Sequence, residues 1–236
     1  MDWSFADETA GPHDGFAVCK ASGDADLEQV DMLWRAVYGE EYGWLSVDAV
    51  ALHKDKYHPH SVYLLATVAG QVVGTMRLVV DSPERLPVEQ FVDIGPLRGG
   101  GDRLIECQRL MMLPQFRNRR FEEMPFGVLA ALVKGCLHWC LINGVSHIVA
   151  DLFRSTATTP MAPLLALGFT ETGIEFVDTE LAEPDESVAL LLEVGELFSR
   201  PFRSSNPFYR YLMTPCRGRG RLPLTRPNPA LTPQER

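Results

Sequence analysis

The stretch LIECQRLMMLPQFR, residues 104–117, has the pattern of a buried strand that ends at a proline and is followed by arginines. Its apolar run contains Glu106 and Arg109, and removing such charges from water costs on the order of several kcal/mol unless they are paired or used. We therefore predict that this strand carries an ion pair between Glu106 and Arg109. The same stretch is the first candidate for a functional site.

The composition predicts a soluble globular protein with a sizeable core. The chain has 236 residues, of which 46% are hydrophobic and 22% are charged. We expect one domain over residues 1–215, followed by an Arg- and Pro-rich, disordered tail over residues 216–236. The formal net charge of -9 gives no support to a role on nucleic acid or on an anionic membrane.

Cysteine usage and the N-terminus predict a cytoplasmic protein. The five cysteines are an odd number, and Cys136 and Cys140 stand four apart in an apolar helical pattern, which favours reduced core thiols over a zinc site. The acidic start MDWSFADETA has no signal-peptide pattern. Polar residues interrupt the apolar segment 124–145, so we expect no stable membrane insertion. The histidines lack metal-ligand spacing, so no metal is expected either.

Strand-like and helix-like patterns alternate along the chain, which predicts an α/β or α+β fold with a mixed sheet. Gly70 between two β-rich runs predicts a tight antiparallel hairpin. The predicted strands are residues 15–20, 61–69, 71–80, 104–113, 145–153, 168–176 and 188–194. The predicted helices are residues 27–37, 47–53, 124–143 and 160–167.

The order of these elements resembles that of the GNAT acyltransferase superfamily. The hairpin sequence GQVVGTMRLV (70–79) is followed by the strand with Glu106, an arginine loop, a long helix and LLALGF (164–169). The resemblance implies the GNAT fold, with a mixed, mostly antiparallel central sheet of about seven strands flanked by helices.

Four segments are similar to one branch of that superfamily, the bacterial N-acyl amino acid synthases and acyl-homoserine-lactone autoinducer synthases. They are HKDKY (53–57) leading into SVYLLA (61–66), GTMRLV (74–79), LPVE (86–89) and IECQRL (105–110). The resemblance covers about residues 25–175. It implies an N-acyltransferase that moves a fatty acyl group from an acyl-carrier-protein thioester to the amine of an amino acid or similar small amine, by direct attack.

Three alternatives stay open. The acceptor could be a lysine or ornithine side chain in a peptide precursor, the enzyme could be an acyl-CoA-dependent N-acetyltransferase, or the domain could bind an acyl ligand without catalysis.

Two departures from the family pattern bear on the substrates. His58-Pro59-His60 stands where autoinducer synthases tend to place a second carboxylate, which weakens the case for S-adenosylmethionine. The loop RNRRFE (117–122) has no glycine to bring the backbone close to a pyrophosphate. We therefore expect no bound cofactor, and acyl-phosphopantetheine on an acyl carrier protein as co-substrate in preference to acyl-CoA.

The candidate catalytic and acceptor-binding residues follow from this chemistry. Glu106 is predicted to be the base, because burial raises the pKa of a carboxyl group. Arg77 and Arg109, on adjacent strands, would bind the acceptor carboxylate, and Asp55 would hold its ammonium. The alternatives are that Glu106 and Arg109 form only a structural brace, and that Arg77 and Arg109 are structural or solvent-facing arginines. Asp55 could instead anchor an N-terminal flap or be an ordinary loop or helix acid.

The donor is expected to meet main-chain groups near the end of the same strand, an arginine cluster at the start of the long helix, and an apolar acyl pocket. The main-chain candidates are Met111, Met112 and Leu113; the phosphate-binding candidates are Arg117, Arg119 and Arg120; and the acyl-pocket candidates are Phe126, Leu129, Trp139, Leu152 and Phe153. The alternatives are a solvated basic turn and a plain core. A second group of arginines could steer an acidic carrier protein, namely Arg200, Arg203, Arg210, Arg217, Arg219 and Arg221.

Overall fold

A computed structural model describes residues 15–44, 54–154, 159–178, 186–199 and 206–214. The predicted helix at 47–53 and the tail at 216–236 lie outside the described residues, as does most of the second arginine group.

The described residues form one seven-stranded sheet, in the order β1-β2-β3-β4-β5-β7-β6. Neighbouring strands are antiparallel except for β4 and β5, which are parallel. The predicted mixed, mostly antiparallel sheet is therefore confirmed. The strands are β1 (Phe16–Lys20), β2 (Ser61–Val68), β3 (Gln71–Val80), β4 (Leu104–Met112), β5 (His147–Phe153), β6 (Thr170–Phe176) and β7 (Ser187–Glu193).

Helices cover both faces of this sheet, as expected for an α+β fold. The α-helices in the described ranges are α1 (Asp24–Trp34), α2 (Gly127–Ile142), α3 (Met161–Leu167), α4 (Glu196–Ser199) and α5 (Pro207–Met213). A π-helix (Arg35–Glu41) continues α1. One face packs on α1 through Val30 and Trp34, and the other packs on α2 through Val128 and Leu132.

The β2–β3 hairpin forms as predicted. Its turn consists of Ala69 and Gly70, which have φ values of +49° and +78°. Two consecutive positive φ values are typical of the type I′ turn, whose twist matches that of the flanking strands.

Helix α2 begins later than the sequence pattern predicts. Met124 and Phe121 form a turn, in which the Met124 N–H donates to the Phe121 carbonyl at 3.1 Å. The helix then starts at Gly127, whose φ of +87° is a conformation that L residues rarely adopt.

Strands β4 and β5 pair over only part of their length. Four residue pairs join them, from Leu104 with His147 to Cys107 with Ala150. Beyond this point β4 continues to Met112 and β5 to Phe153 without further pairing. A gap therefore opens between two strands in the middle of the sheet.

A β-bulge lies in β4 next to this gap. The β3–β4 register shifts between Thr75 and Arg77, so that Arg109 and Leu110 lie opposite a single β3 residue. Arg109 has a φ of +51°, in the left-handed region. The bulge reverses the alternation of side chains, and the Arg109 guanidinium thereby reaches the side of the sheet that packs on α1.

Candidate functional site

A cavity of about 630 Å³ occupies the gap between β4 and β5 and reaches both faces of the sheet. The wall on the α1 face carries acids and aromatic rings, among them Tyr38, Phe91, Glu106, Asp151, Phe153 and Phe176. The wall on the α2 face is apolar, and includes Met76, Leu129, Val133, Leu137, Leu152 and Phe208. The polar wall and the apolar wall thus belong to one cavity, which passes through the sheet.

Glu106 lies in the polar wall of the cavity and is 2% exposed. Its carboxylate accepts the Val88 backbone N–H at 2.8 Å and the Gln108 side-chain amide at 3.1 Å. Burial, followed by the negative charge of Asp151, raises the pKa of Glu106 to about 8. A carboxyl group with this pKa exchanges protons near neutral pH, as a general base must.

The predicted ion pair between Glu106 and Arg109 is wrong. The described partners of the Glu106 carboxylate are Val88 and Gln108, whereas the Arg109 guanidinium lies over the ring of Trp34, with 5.6 Å from Cζ to the ring centroid. The bulge brings Arg109 to the same face of the sheet as Glu106, but the guanidinium turns towards the aromatic rings of Trp34 and Tyr38. Arg109 nevertheless lines the cavity.

Arg77 and Asp55, both predicted to bind the acceptor, bind each other. The Arg77 guanidinium donates to the two Asp55 carboxylate oxygens at 2.5 and 2.6 Å, and its Nε donates to Ser61 Oγ at 2.8 Å. Burial raises the pKa of Asp55, but the hydrogen bonds and charge of Arg77 outweigh this effect and hold it below its ordinary value. Arg77 is fully buried, and neither residue lines the cavity. Their contact with an acceptor therefore stays a prediction that this geometry does not support.

Asp151 is a cavity residue that the sequence interpretation missed. Glu106 pairs with Val149 across β4 and β5, so Asp151, two residues further along, projects from the same face. Burial and the charge of Asp178 raise the pKa of Asp151 to about 6, against the opposing effect of Arg109. The signal in the sequence was the same as for Glu106, an acid inside an apolar strand.

The predicted phosphate-binding arginines have different surroundings. Arg117 lines the cavity and donates two hydrogen bonds of 2.6 Å to the carboxylate of Glu41. Arg119 and Arg120 are exposed and do not line the cavity, and Arg119 lies over the ring of Phe116. Of these three arginines, only Arg117 lines the cavity between β4 and β5.

An aromatic cluster connects Arg117 with the polar wall. The Arg117 guanidinium lies over the ring of Tyr42, which stacks on Trp44 at a centroid distance of 4.4 Å. The Trp44 ring in turn meets the edge of Phe153 at 5.2 Å. Sequence reasoning missed this cluster, because Arg117 and Glu41 are 76 residues apart.

The remaining predicted donor residues divide into two groups. Met111, Met112, Phe126, Leu129, Leu152 and Phe153 line the cavity. Leu113 does not line it, and its N–H donates to the Val73 carbonyl at 2.9 Å. Trp139 does not line it either, because its side chain packs in the apolar core between α2 and the sheet. Phe153 contacts Trp44 and so belongs to the polar wall, not to the acyl wall.

Gly127, five residues beyond the arginine loop, stands at the start of α2. No glycine occurs within residues 117–122, but α2 begins at Gly127, where a Cβ atom would lie 3.3 Å from the Arg119 carbonyl oxygen. The free N–H groups at the start of a helix of this length bind anions readily. Phe126, the neighbouring residue, lines the cavity.

Two further properties concern the described ranges as a whole. None of their helices has the length and hydropathy needed to cross a membrane. They also contain no group of three or more His, Cys, Asp or Glu side chains arranged to hold a metal ion.

Comparisons with known proteins agree with this architecture. A family model described as N-acyl amino acid synthase FeeM matches residues 29–154, which include the β4–β5 gap and α2. Comparison with curated protein sequences gave no match.

Three solved structures show the same fold at low sequence identity. FeeM, an N-acyl amino acid synthase from uncultured soil microbes, superposes with a TM-score of 0.62 and 17% identity, over 83% of this chain and 96% of that chain. BjaI, a CoA-dependent acyl-homoserine lactone synthase, gives 0.53 and 17%, over 76% and 84%. Arabidopsis thaliana Naa50, in complex with a CoA-linked bisubstrate analogue, gives 0.50 and 15%, over 75% and 98%.

Proposed function

The chain belongs to the FeeM family of N-acyl amino acid synthases, and on this premise we propose that it transfers a fatty acyl group from an acyl-carrier-protein thioester to the amine of an amino acid or similar small amine. An N-acyltransferase of the GNAT type is the class that the family and the fold establish. The four described cysteines are free thiols, which supports a reducing cytoplasm as its location.

The observation that carries the proposal is the cavity through the sheet. A thioester placed in the β4–β5 gap would have its alkyl chain against the apolar wall under α2 and its carbonyl carbon facing the polar wall. The amine would then approach from the α1 face, where Glu106 lies. In this arrangement the alkyl chain would lie on the α2 face of the sheet, and proton transfer from the amine would occur on the α1 face.

The reaction needs no covalent enzyme intermediate, because a thioester is already activated. The neutral amine nitrogen attacks the carbonyl carbon, the carbon–nitrogen bond forms, and the carbon–sulfur bond breaks as the thiolate leaves. Glu106 receives the proton that the nitrogen loses, directly or through one water. The same proton then passes, directly or through solvent, to the leaving thiolate, which restores the Glu106 carboxylate. The raised pKa of Glu106 suits this step, since it brings the base close to the operating pH.

Arg109 is the residue best placed to recognise an acceptor carboxylate. Its guanidinium projects to the α1 face beside Tyr38 and lines the cavity with Glu106. Arginine binds carboxylates in bidentate fashion, which would orient the amine of an amino acid towards the base.

The acyl donor has two candidates, a thioester on an acyl carrier protein and acyl-CoA. Exposed Arg119 and Arg120 offer an acidic carrier protein a basic surface beside the opening, which supports a carrier-bound donor. Gly127 at the start of α2 supports acyl-CoA instead, because a glycine with positive φ at a helix N-terminus allows close approach of a phosphate.

A direct comparison of donors tests both parts. The purified protein is given the same dodecanoyl group on acyl carrier protein or on CoA, together with a mixture of amino acids, and products are identified by mass spectrometry. We expect N-acyl amino acids from the carrier-bound donor, and at least about a hundredfold less product from the Glu106→Gln variant. Product from CoA alone would contradict the carrier-protein donor, and no amide from either donor would contradict the proposed function.

A further inference from the structure

Two thiols meet where the gap between β4 and β5 closes. Cys107 is the last β4 residue that pairs with β5, and its Sγ lies 3.3 Å from the Sγ of Cys136 on α2. Both residues line the cavity. The pair therefore stands at the narrow end of the space between the diverging strands.

The opposite end of this space is open. Phe126, immediately before α2, lines the cavity and is 37% exposed. From there the cavity follows one face of α2 through Leu129 and Val133 to Cys136. This distance is about 15 Å along the helix axis, from the rise of 1.5 Å per residue.

Along α2, the cavity lining stops one residue past Cys136. Leu137 and Ile148, each 1% exposed, also line the cavity, and no α2 residue beyond Leu137 does. Cys140, one turn further along α2, is fully buried, does not line the cavity, and has its Sγ 4.0 Å from that of Cys136. A flexible alkyl chain that enters beside Phe126 would thus end at the sulfur atoms of Cys107 and Cys136.

We propose that Cys136, together with Cys107, forms the end wall of the acyl-binding half of the cavity and limits the length of the acyl chain that the enzyme accepts. The proposal rests on the proposed function, since it assumes that the apolar half holds the alkyl chain. Cysteine is a small, polarizable side chain, so a larger residue at position 136 would occupy the space that the terminal methyl groups use.

Substitution at position 136 tests the limit through chain-length preference. In the Cys136→Leu variant, kcat/KM for the longest accepted chain is expected to fall about tenfold or more relative to a chain two carbons shorter, since each methylene in an apolar pocket discriminates at this level. Cys136→Ser is the size-matched control and keeps the original preference. Equal loss for every chain length in Cys136→Leu would overturn the proposal.

Chemical labelling of the cysteines tests the same proposal in the wild-type protein and does not require catalysis. The probe is methyl methanethiosulfonate, with labelling at each cysteine followed by peptide mass spectrometry in the presence of non-hydrolysable acyl-pantetheine analogues of increasing length. We expect protection of Cys107 and Cys136 to begin at one chain length and to persist above it. Cys19, which is partly exposed on β1 and does not line the cavity, is the control and is labelled equally throughout.

The two ideas fail in different ways. If amides form but no chain length protects the thiol pair, or the pair is unlabelled in the free protein while Cys19 reacts, the end wall is elsewhere. If no acyl donor is consumed at all, the proposed function itself is contradicted.

Discussion

The carboxylate of Glu106 accepts the backbone N–H of Val88 at 2.8 Å, across 18 residues of sequence. Val88 belongs to the long connection between β3 and β4, and this connection is tied down by Arg98, which binds Asp81 at 2.7 Å and also contacts Glu89. The Glu106 carboxylate is thus oriented by a backbone group that ion pairs within the same connection hold in place.

Replacement of Glu106 by glutamine should abolish most activity and keep the fold. The amide oxygen can still accept the Val88 N–H, but it cannot take the proton of the amine, so kcat should fall about 10²–10⁴-fold. Product formation under donor saturation and the thermal midpoint are the two measurements. A variant that turns over normally would show that the proton leaves by another route.

The pH dependence follows from the raised pKa of Glu106. The base is active only when ionised, so kcat/KM should rise with pH and level off above about 8. Stability should change in the opposite direction. Because the folded state favours the protonated form, the free energy of unfolding declines as pH rises from the ordinary pKa of 4.5 towards about 8. Urea titrations across this range, with Glu106→Gln as the control, measure the decline.

Asp151 should influence that profile through its charge. The Asp151 carboxylate raises the pKa of Glu106, so Asp151→Asn is expected to move the rise of kcat/KM to lower pH. A profile that keeps its midpoint would mean that the two acids do not interact in the working enzyme.

The Arg77–Asp55 pair should contribute to stability. Asp55→Ala leaves the fully buried Arg77 without its bidentate partner, and the free energy of unfolding is expected to fall by about 2–4 kcal/mol, less than for a fully buried pair because Asp55 is 35% exposed. The Asp55→Ala/Arg77→Met double variant should recover part of this loss. A double-mutant cycle in urea measures the coupling, and additive effects would argue against it.

Two substitutions of Arg109 separate its side chain from its backbone. Arg109→Gly and Arg109→Ala should both raise the acceptor KM about tenfold through the lost charged hydrogen bond. Only the glycine variant suits the φ of +51°, so it should be the more stable of the two. An amine acceptor without a carboxylate is the control, and its KM should not respond to either change.

The Glu41–Arg117 ion pair should compete with the donor phosphate for the arginine. Arg117→Ala is expected to raise the donor KM about tenfold, whereas Glu41→Gln should lower it by releasing the guanidinium. Arg154→Ala is the matched control, because Arg154 forms an ion pair with Glu171 and does not line the cavity. Unchanged donor kinetics in both test variants would place the phosphate elsewhere.

Local patterns in the sequence predicted most of the sheet, because alternation, turn glycines and apolar runs are short-range signals. The same signals identified Glu106, an acid in a buried strand. They failed where geometry depends on partners far apart in the chain. The bulge that redirects Arg109, the bidentate contact between Arg77 and Asp55, and the Phe208 wall contributed by α5 are tertiary features with no local signature.

Only four residue pairs join β4 to β5, so a short ladder connects two groups of strands in the sheet. Strands β1 to β4 form one group, and strands β5 to β7 form the other. Beyond these four pairs, β4 and β5 are not paired with each other, so an alkyl chain placed between them would interrupt no ladder within either group. Within the sheet, amide hydrogen exchange should therefore be fastest at the facing edges of β4 and β5 beyond Cys107 and Ala150. It should be slow in the interior of both groups of strands.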